Sequence, residues 1–102
     1  MNLADWQKRL QTFAAERDWQ PFLNPKNLAM ALTVESAELL ECYQWLTPEQ
    51  AMQPSPPQRE AIADEMADVL MYLLQLSRVT GIDLESAMEA KLLKNAIKHP
   101  KP

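Results

Sequence analysis

The chain has 102 residues, of which 47% are hydrophobic, with ten Lys and Arg against fourteen Asp and Glu and a net charge of −4. That is one domain's worth of protein, apolar enough to build a core, and residues 1–102 read as a single domain. A pI near 4.9 speaks against a surface made to neutralise a polymeric nucleic acid, and a single cysteine, Cys42, excludes an intrachain disulfide or a cysteine-based zinc site. The first residues carry neither a basic leader nor an apolar run, and no stretch approaches the roughly 18 apolar residues that would span a bilayer. The expectation is a cytoplasmic protein with no membrane partner.

One glycine in 102 residues argues against hairpins, sandwiches and glycine-rich nucleotide loops, and the eight prolines leave 26–47 and 58–99 free. The predicted class is all-α. Leu3, Trp6, Leu10, Phe13 and Ala14 have helical spacing, which predicts a first helix from Leu3 to about Trp19. Asn24-Pro25 reads as an N-cap with proline at the first helical position, opening a helix over about 25–46. Thr47-Pro48-Glu49-Gln50 and Ser55-Pro56-Pro57-Gln58 both have the form of a capping box, the first opening a short turn and the second a long helix. That helix should reach about Thr80 and stop at Gly81, where a left-handed residue is wanted. Asp83 then caps a last helix over about 84–98. The pattern predicts four main helices, arranged like a four-helix bundle.

Two of these helices carry acids in an unexpected place. At about 100° per residue, Leu28, Ala31, Leu32, Leu39, Cys42 and Leu46 fall within about 60° of Glu35, and Glu38 edges the stripe. Ala61, Ile62, Val69, Tyr72, Leu76 and Val79 bear the same relation to Glu65, with Asp68 at the side. A lone E-x-x-E on a helix is ordinarily a solvated face; two such pairs, each centred in an apolar stripe, are not. Ionised carboxylates taken out of water cost several kcal/mol each and repel one another. Helices joined by a short link pack antiparallel, so Glu35, Glu38, Glu65 and Asp68 are expected to converge on a metal ion. An all-oxygen ligand set favours a hard cation, Mg²⁺ with Mn²⁺ as a substitute. A di-iron centre needs Glu-x-x-His on two helices, and His99, the fourth residue from the end, is the only histidine. Glu41, Glu60 and Asp64 lie off their stripes and are expected to face solvent.

The run from Asn27 to Trp45 containing Glu35-x-x-Glu38, then Glu65-Met-Ala-Asp68-Val-Leu-Met-Tyr72, then Lys91-Leu-Leu-Lys-Asn95, resembles the MazG-like all-α nucleoside triphosphate pyrophosphohydrolases, in particular the small single-domain members of the dCTP pyrophosphatase type. The likeness covers about residues 19–101. It implies Mg²⁺-dependent hydrolysis between the α and β phosphorus atoms of a nucleoside triphosphate, giving the monophosphate and pyrophosphate, in the clearance of unwanted deoxynucleotides. By the same resemblance Glu38, with Glu35 second, takes the proton of the attacking water. Lys91 and Asn95, one turn apart, are expected to contact the phosphates, and Trp45 and Tyr72 to stack on the base, with Trp19 and Asn27 nearby. The loop from Trp19 to Asn27 resembles the family's W-x-x-F-H-x-P-K-N but has Leu23 in place of histidine, and His99 replaces the tyrosine of a K-Y-P ending. Which base is chosen is left open by these residues.

Leu70, Met71 and Leu74, on the side away from Glu65, and Met30, Val34 and Leu40, off the Glu35 stripe, predict at least a homodimer. The resemblance implies a tetramer built from two dimers, with the pocket lined by more than one chain. The competing readings are a non-catalytic helical interaction module with an acidic groove, and a metal-dependent phosphohydrolase acting on another diphosphate.

Overall fold

A computed structural model describes residues 1–102 and contains only helices and turns. α1 runs Leu3–Glu16, a single 3-10 turn spans Gln20–Phe22, α2 runs Pro25–Glu41, α3 is the short Pro48–Ala51, α4 runs Pro56–Thr80 and α5 runs Leu84–Lys98. No helix is long and apolar enough to cross a membrane.

The starts follow local chemistry. Asn24 accepts from the backbone N–H of Asn27 at 2.9 Å, and Thr47 and Ser55 both form complete capping boxes with Gln50 and Gln58. Gly81 closes α4 at φ 72°, and Asp83 caps α5 by accepting from Ser86. Those hydrogen bonds from Ser86 hold the Asp83 carboxyl below the usual carboxylate range.

Two ends fall earlier than the spacing predicts. α1 stops at Glu16, not Trp19, because Asp18 takes a left-handed φ of 57° and the chain turns back on itself. The Trp19 N–H donates to Ala14 O at 3.0 Å and the Asp18 N–H to Ala15 O at 3.2 Å, the paired bonds of a Schellman ending. Phe13 meets the Trp19 ring edge-on at 5.6 Å, the apolar contact that accompanies this motif. α2 stops at Glu41, not 46: Thr47 must be extended ahead of Pro48, so the intervening residues unwind through turns.

α2 and α4 form the principal packed pair, and α1 lies against α4. Leu28 on α2, Ile62 and Leu74 on α4 and Ala14 on α1 are the buried apolar residues. Leu74, expected at a subunit surface, is instead covered within the chain, and Gln7 of α1 donates to its carbonyl and to the Ser77 hydroxyl. Gln75 donates back to Leu10 O at 3.1 Å. Met30, Val34, Leu40 and Leu70 are exposed as expected. α5 makes only marginal contact with the other helices, so the four-helix bundle expected from the sequence is not closed within one chain. The radius of gyration of 16.5 Å exceeds the roughly 13 Å of a compact domain of this length.

Candidate functional site

The facing stripes of α2 and α4 bring Glu35, Glu38 and Glu65 together, one carboxylate oxygen from each lying within 4.8 Å of the others. Oε2 of Glu35 and Oε2 of Glu65 are buried without a hydrogen-bond partner. Burial is the chief cause that lifts the Glu35 carboxyl to about 7, followed by the closeness of the Glu65 and Glu38 carboxyls and by the negative charges of Glu38 and Asp68. Burial raises Glu65 as well. The charges that act on these two groups, those of Glu38 and Asp68, are negative; the neighbouring Glu35 carboxyl offsets part of the rise at Glu65, and no cationic side chain does so. Two orphaned carboxylate oxygens in a cluster of three acids suit a hard divalent cation, and the residues present fit one; Asp68, expected as the fourth ligand, is near enough for its charge to act on Glu35 and Glu65 but is not in the converging group. Glu41, Glu60 and Asp64 are exposed, apart from this cluster.

A cavity of about 1070 Å³ adjoins the cluster. α1, the 3-10 turn, the first half of α2 and the middle of α4 border it; Asp68 and Tyr72 stand on its wall, whereas Glu35, Glu38 and Glu65 do not line it. Burial and the charges of Glu35, Asp68 and Glu38 push the Tyr72 phenol up, which keeps it protonated as a hydrogen-bond donor. The opposite wall is aromatic: Trp6, Phe13, Trp19 and Phe22. The Arg9 guanidinium lies 4.0 Å from the centre of the Trp6 ring and that of Arg17 lies 3.5 Å from Phe13. Asn27 also lines the cavity, and its amide donates to Phe22 O at 3.0 Å, tying the 3-10 turn to the start of α2. Leu23, where the resembled motif has histidine, is part of the same wall.

Of the residues singled out from the sequence, the structure gathers Glu35, Glu38, Glu65, Asp68, Tyr72, Trp19 and Asn27 around one cluster and cavity. Trp45 is 87% exposed, in the turn after α2, and is not part of the cavity wall. Lys91 is exposed and Asn95 half-buried on α5, away from that wall; His99 caps the same helix end, its N–H donating to Asn95 O at 2.8 Å. The α1 contribution, Trp6, Arg9 and Phe13, was read from the sequence only as core spacing. The signal that marks it as a wall is the seven-residue interval between Trp6 and Phe13, each with an arginine within one turn.

The pattern of the MazG-like family matches residues 30–102. The chain is 41% identical over 100 residues to dCTP pyrophosphatase 1 of Homo sapiens and 40% identical over 100 residues to that of Mus musculus, in each case over 96% of this chain. It spans 59% of the length of these curated relatives. Among solved structures, a pyrophosphatase from Archaeoglobus fulgidus superposes with a TM-score of 0.86 at 37% identity, covering 92% of this chain and 88% of that one.

Proposed function

Because the chain belongs to the MazG-like family, we propose that it is a metal-dependent nucleoside triphosphate pyrophosphohydrolase, acting as one domain over residues 1–102. It cleaves a deoxynucleoside triphosphate, dCTP-like or modified at the base, into the monophosphate and pyrophosphate. The observation that carries this reading is the pair of buried, unpartnered oxygens on Glu35 and Glu65 beside a cavity large enough for a nucleotide. An acidic groove for a basic partner protein would instead keep its acids in solvent, and the burial of Glu35 and Glu65 counts against it.

Glu35, Glu38, Glu65 and Asp68 hold the metal. When bound, Mg²⁺, or Mn²⁺ in its place, supplies positive charge against the triphosphate oxygens and the charge that develops on them. Glu38 accepts the proton of the attacking water, and Glu35, whose carboxyl lies at about 7, is the second candidate for that role. Trp19 and Tyr72 flank the base in the cavity, and the Asn27 amide fixes the turn that carries the wall. Lys91 and Asn95 contact the phosphates, and Trp45 closes over the base, from a neighbouring copy; their distance from the cavity of their own chain supports that arrangement. The assembly is a homotetramer of two dimers in the cytoplasm. Its substrate is a free nucleotide, not a polymeric nucleic acid or a lipid, and its role is to clear unwanted triphosphates.

Purified protein incubated with each deoxy- and ribonucleoside triphosphate, with and without Mg²⁺, tests this by chromatography of the products. Monophosphate and pyrophosphate released only with metal is the expected outcome. Release of inorganic phosphate discards the α-phosphorus attack, and no turnover of any nucleotide discards the enzyme reading.

A further inference from the structure

One buried polar side chain in the depth of the cavity has no part in holding a metal. Of the charged and polar residues that line the cavity, Lys8, Arg9, Thr12, Glu16 and Asn27 are exposed and Asp68 is half-buried; only Gln75, at 8% exposure, is buried. The recessed wall is otherwise apolar, with Leu10, Ala14, Leu28 and Met71. At 100° per residue Asp68, Tyr72 and Gln75 fall within about 60° of one another on α4, and Gln75 lies about 10 Å along the axis from Asp68. The face that begins at Asp68 therefore ends at a buried amide, with Tyr72 between the two.

That amide is held in one orientation. Nε of Arg78 can only donate, and it meets Oε1 of Gln75 at 2.9 Å; the Leu10 carbonyl can only accept, and Nε2 of Gln75 donates to it at 3.1 Å. A side-chain amide has two N–H groups and two lone pairs, so one donor and one acceptor are left over, and the chain gives them no further partner. Burying a donor without a partner costs free energy, and the cavity is where a partner can come from. A locked amide offers its donor and acceptor in one order only. Cytosine carries an amine donor where uracil and thymine carry a carbonyl acceptor, and its ring N3 is an acceptor where theirs is a donor. Once sugar and phosphates fix how the base lies, one order suits one of these edges and opposes the other.

We propose that Gln75 hydrogen-bonds the edge of the pyrimidine and selects cytosine over uracil and thymine. This rests on the pyrophosphohydrolase reading above, whose dCTP-like substrate sets which edge is favoured, and it assigns the residue that makes the choice.

The test is kcat/KM for dCTP and dUTP with Mg²⁺ in the wild type, in Gln75→Leu and in Gln7→Leu. Gln7 also ties α1 to α4, donating to Leu74 O at 3.1 Å and to the Ser77 hydroxyl at 3.0 Å, but it does not line the cavity. The wild type is expected to favour dCTP. Gln75→Leu should narrow that preference about tenfold, the scale of one hydrogen bond, chiefly by raising KM for dCTP, whereas Gln7→Leu should leave the dCTP to dUTP ratio unchanged. If Gln75→Leu slows both nucleotides by the same factor, or Gln7→Leu narrows the ratio as much, Gln75 is only a clamp between helices and the proposal fails. A wild type that turns over both equally, or prefers dUTP, overturns it and leaves the pyrophosphohydrolase standing; turnover of no nucleotide overturns both. Should Gln75→Leu lose its helicity by circular dichroism, NMR of the wild type decides. The Gln75 side-chain N–H signals are expected to move with dCMP and not with deoxyribose 5-phosphate, and equal movement with the two, or none with either, overturns the proposal.

Discussion

The carboxylate cluster and the aromatic wall of the cavity are built by different means. The cluster stands on α2 and α4, two regular helices whose apolar stripes meet around buried Leu28 and Ile62. The wall stands on α1 and one 3-10 turn, fastened by side-chain hydrogen bonds from Gln7, Gln75 and Asn27 to backbone carbonyls, with its rings largely exposed. A rigid helix pair fixes charges at the spacing a cation needs. A wall with few buried apolar contacts opens locally at lower free energy, which suits the base-binding role proposed for it.

That contrast is most directly broken through the cluster. Glu38→Gln and Asp68→Asn are each expected to lower turnover by about 10²–10³-fold, the scale on which a preorganised charge contributes to a transition state, while circular dichroism shows the helices unchanged. A loss of helicity would mean that these acids hold the hairpin together and would erase the distinction. On the wall, Trp19→Ala is expected to raise KM about tenfold or more with kcat nearly preserved, since stacking of a base on an aromatic ring is worth about 1–3 kcal/mol. A fall in kcat at constant KM would place Trp19 with the chemistry instead.

A fourth substitution probes the junction between α4 and α5. At φ 72° and with nothing within 4 Å of an added Cβ, Gly81→Ala meets a conformational cost but no clash, so a loss of about 1 kcal/mol in denaturant unfolding is expected, and less for Asn. The smallest effect is a drift with pH. The folded chain holds the Glu35 proton up to about 7, against an ordinary 4.5, so it binds more protons than the unfolded chain between those values. The contribution of Glu35 to the stability of the metal-free protein is then fully present below about 4.5 and is lost as pH rises through about 7, with solvent screening keeping the slope shallow. Thermal unfolding from pH 5 to 8 should show Tm falling without Mg²⁺ and not with it; a rising Tm in the metal-free protein would contradict the burial of Glu35.

Much of this was legible in the sequence because it is local. Asn24, Thr47, Ser55 and Asp83 each satisfy backbone N–H groups three residues away, so residue type and spacing suffice to place four helix starts, and the displacement of Glu35 and Glu65 into apolar stripes needs only the helical period. What the period misses depends on chain reversal and on tertiary company. Asp18 adopts the left-handed conformation that a glycine would have advertised, and so the end of α1 and the placement of Trp19 were hidden. Ala61, counted in the Glu65 stripe, is exposed although its neighbour Ile62 is buried, a difference within one stripe that the helical period does not resolve. Leu74 is a core residue on account of α1, a helix distant in sequence, which angular bookkeeping on α4 alone does not see.

With four buried apolar residues for the whole chain, Ala14, Leu28, Ile62 and Leu74, little of the folding free energy resides in a single copy. In the proposed assembly, folding and association are one equilibrium governed by mass action. Apparent melting temperature should then climb with protein concentration, and dilution alone should act as a denaturant, so that the proposed pyrophosphohydrolase activity falls when the protein is assayed far below the concentration at which the proposed assembly forms.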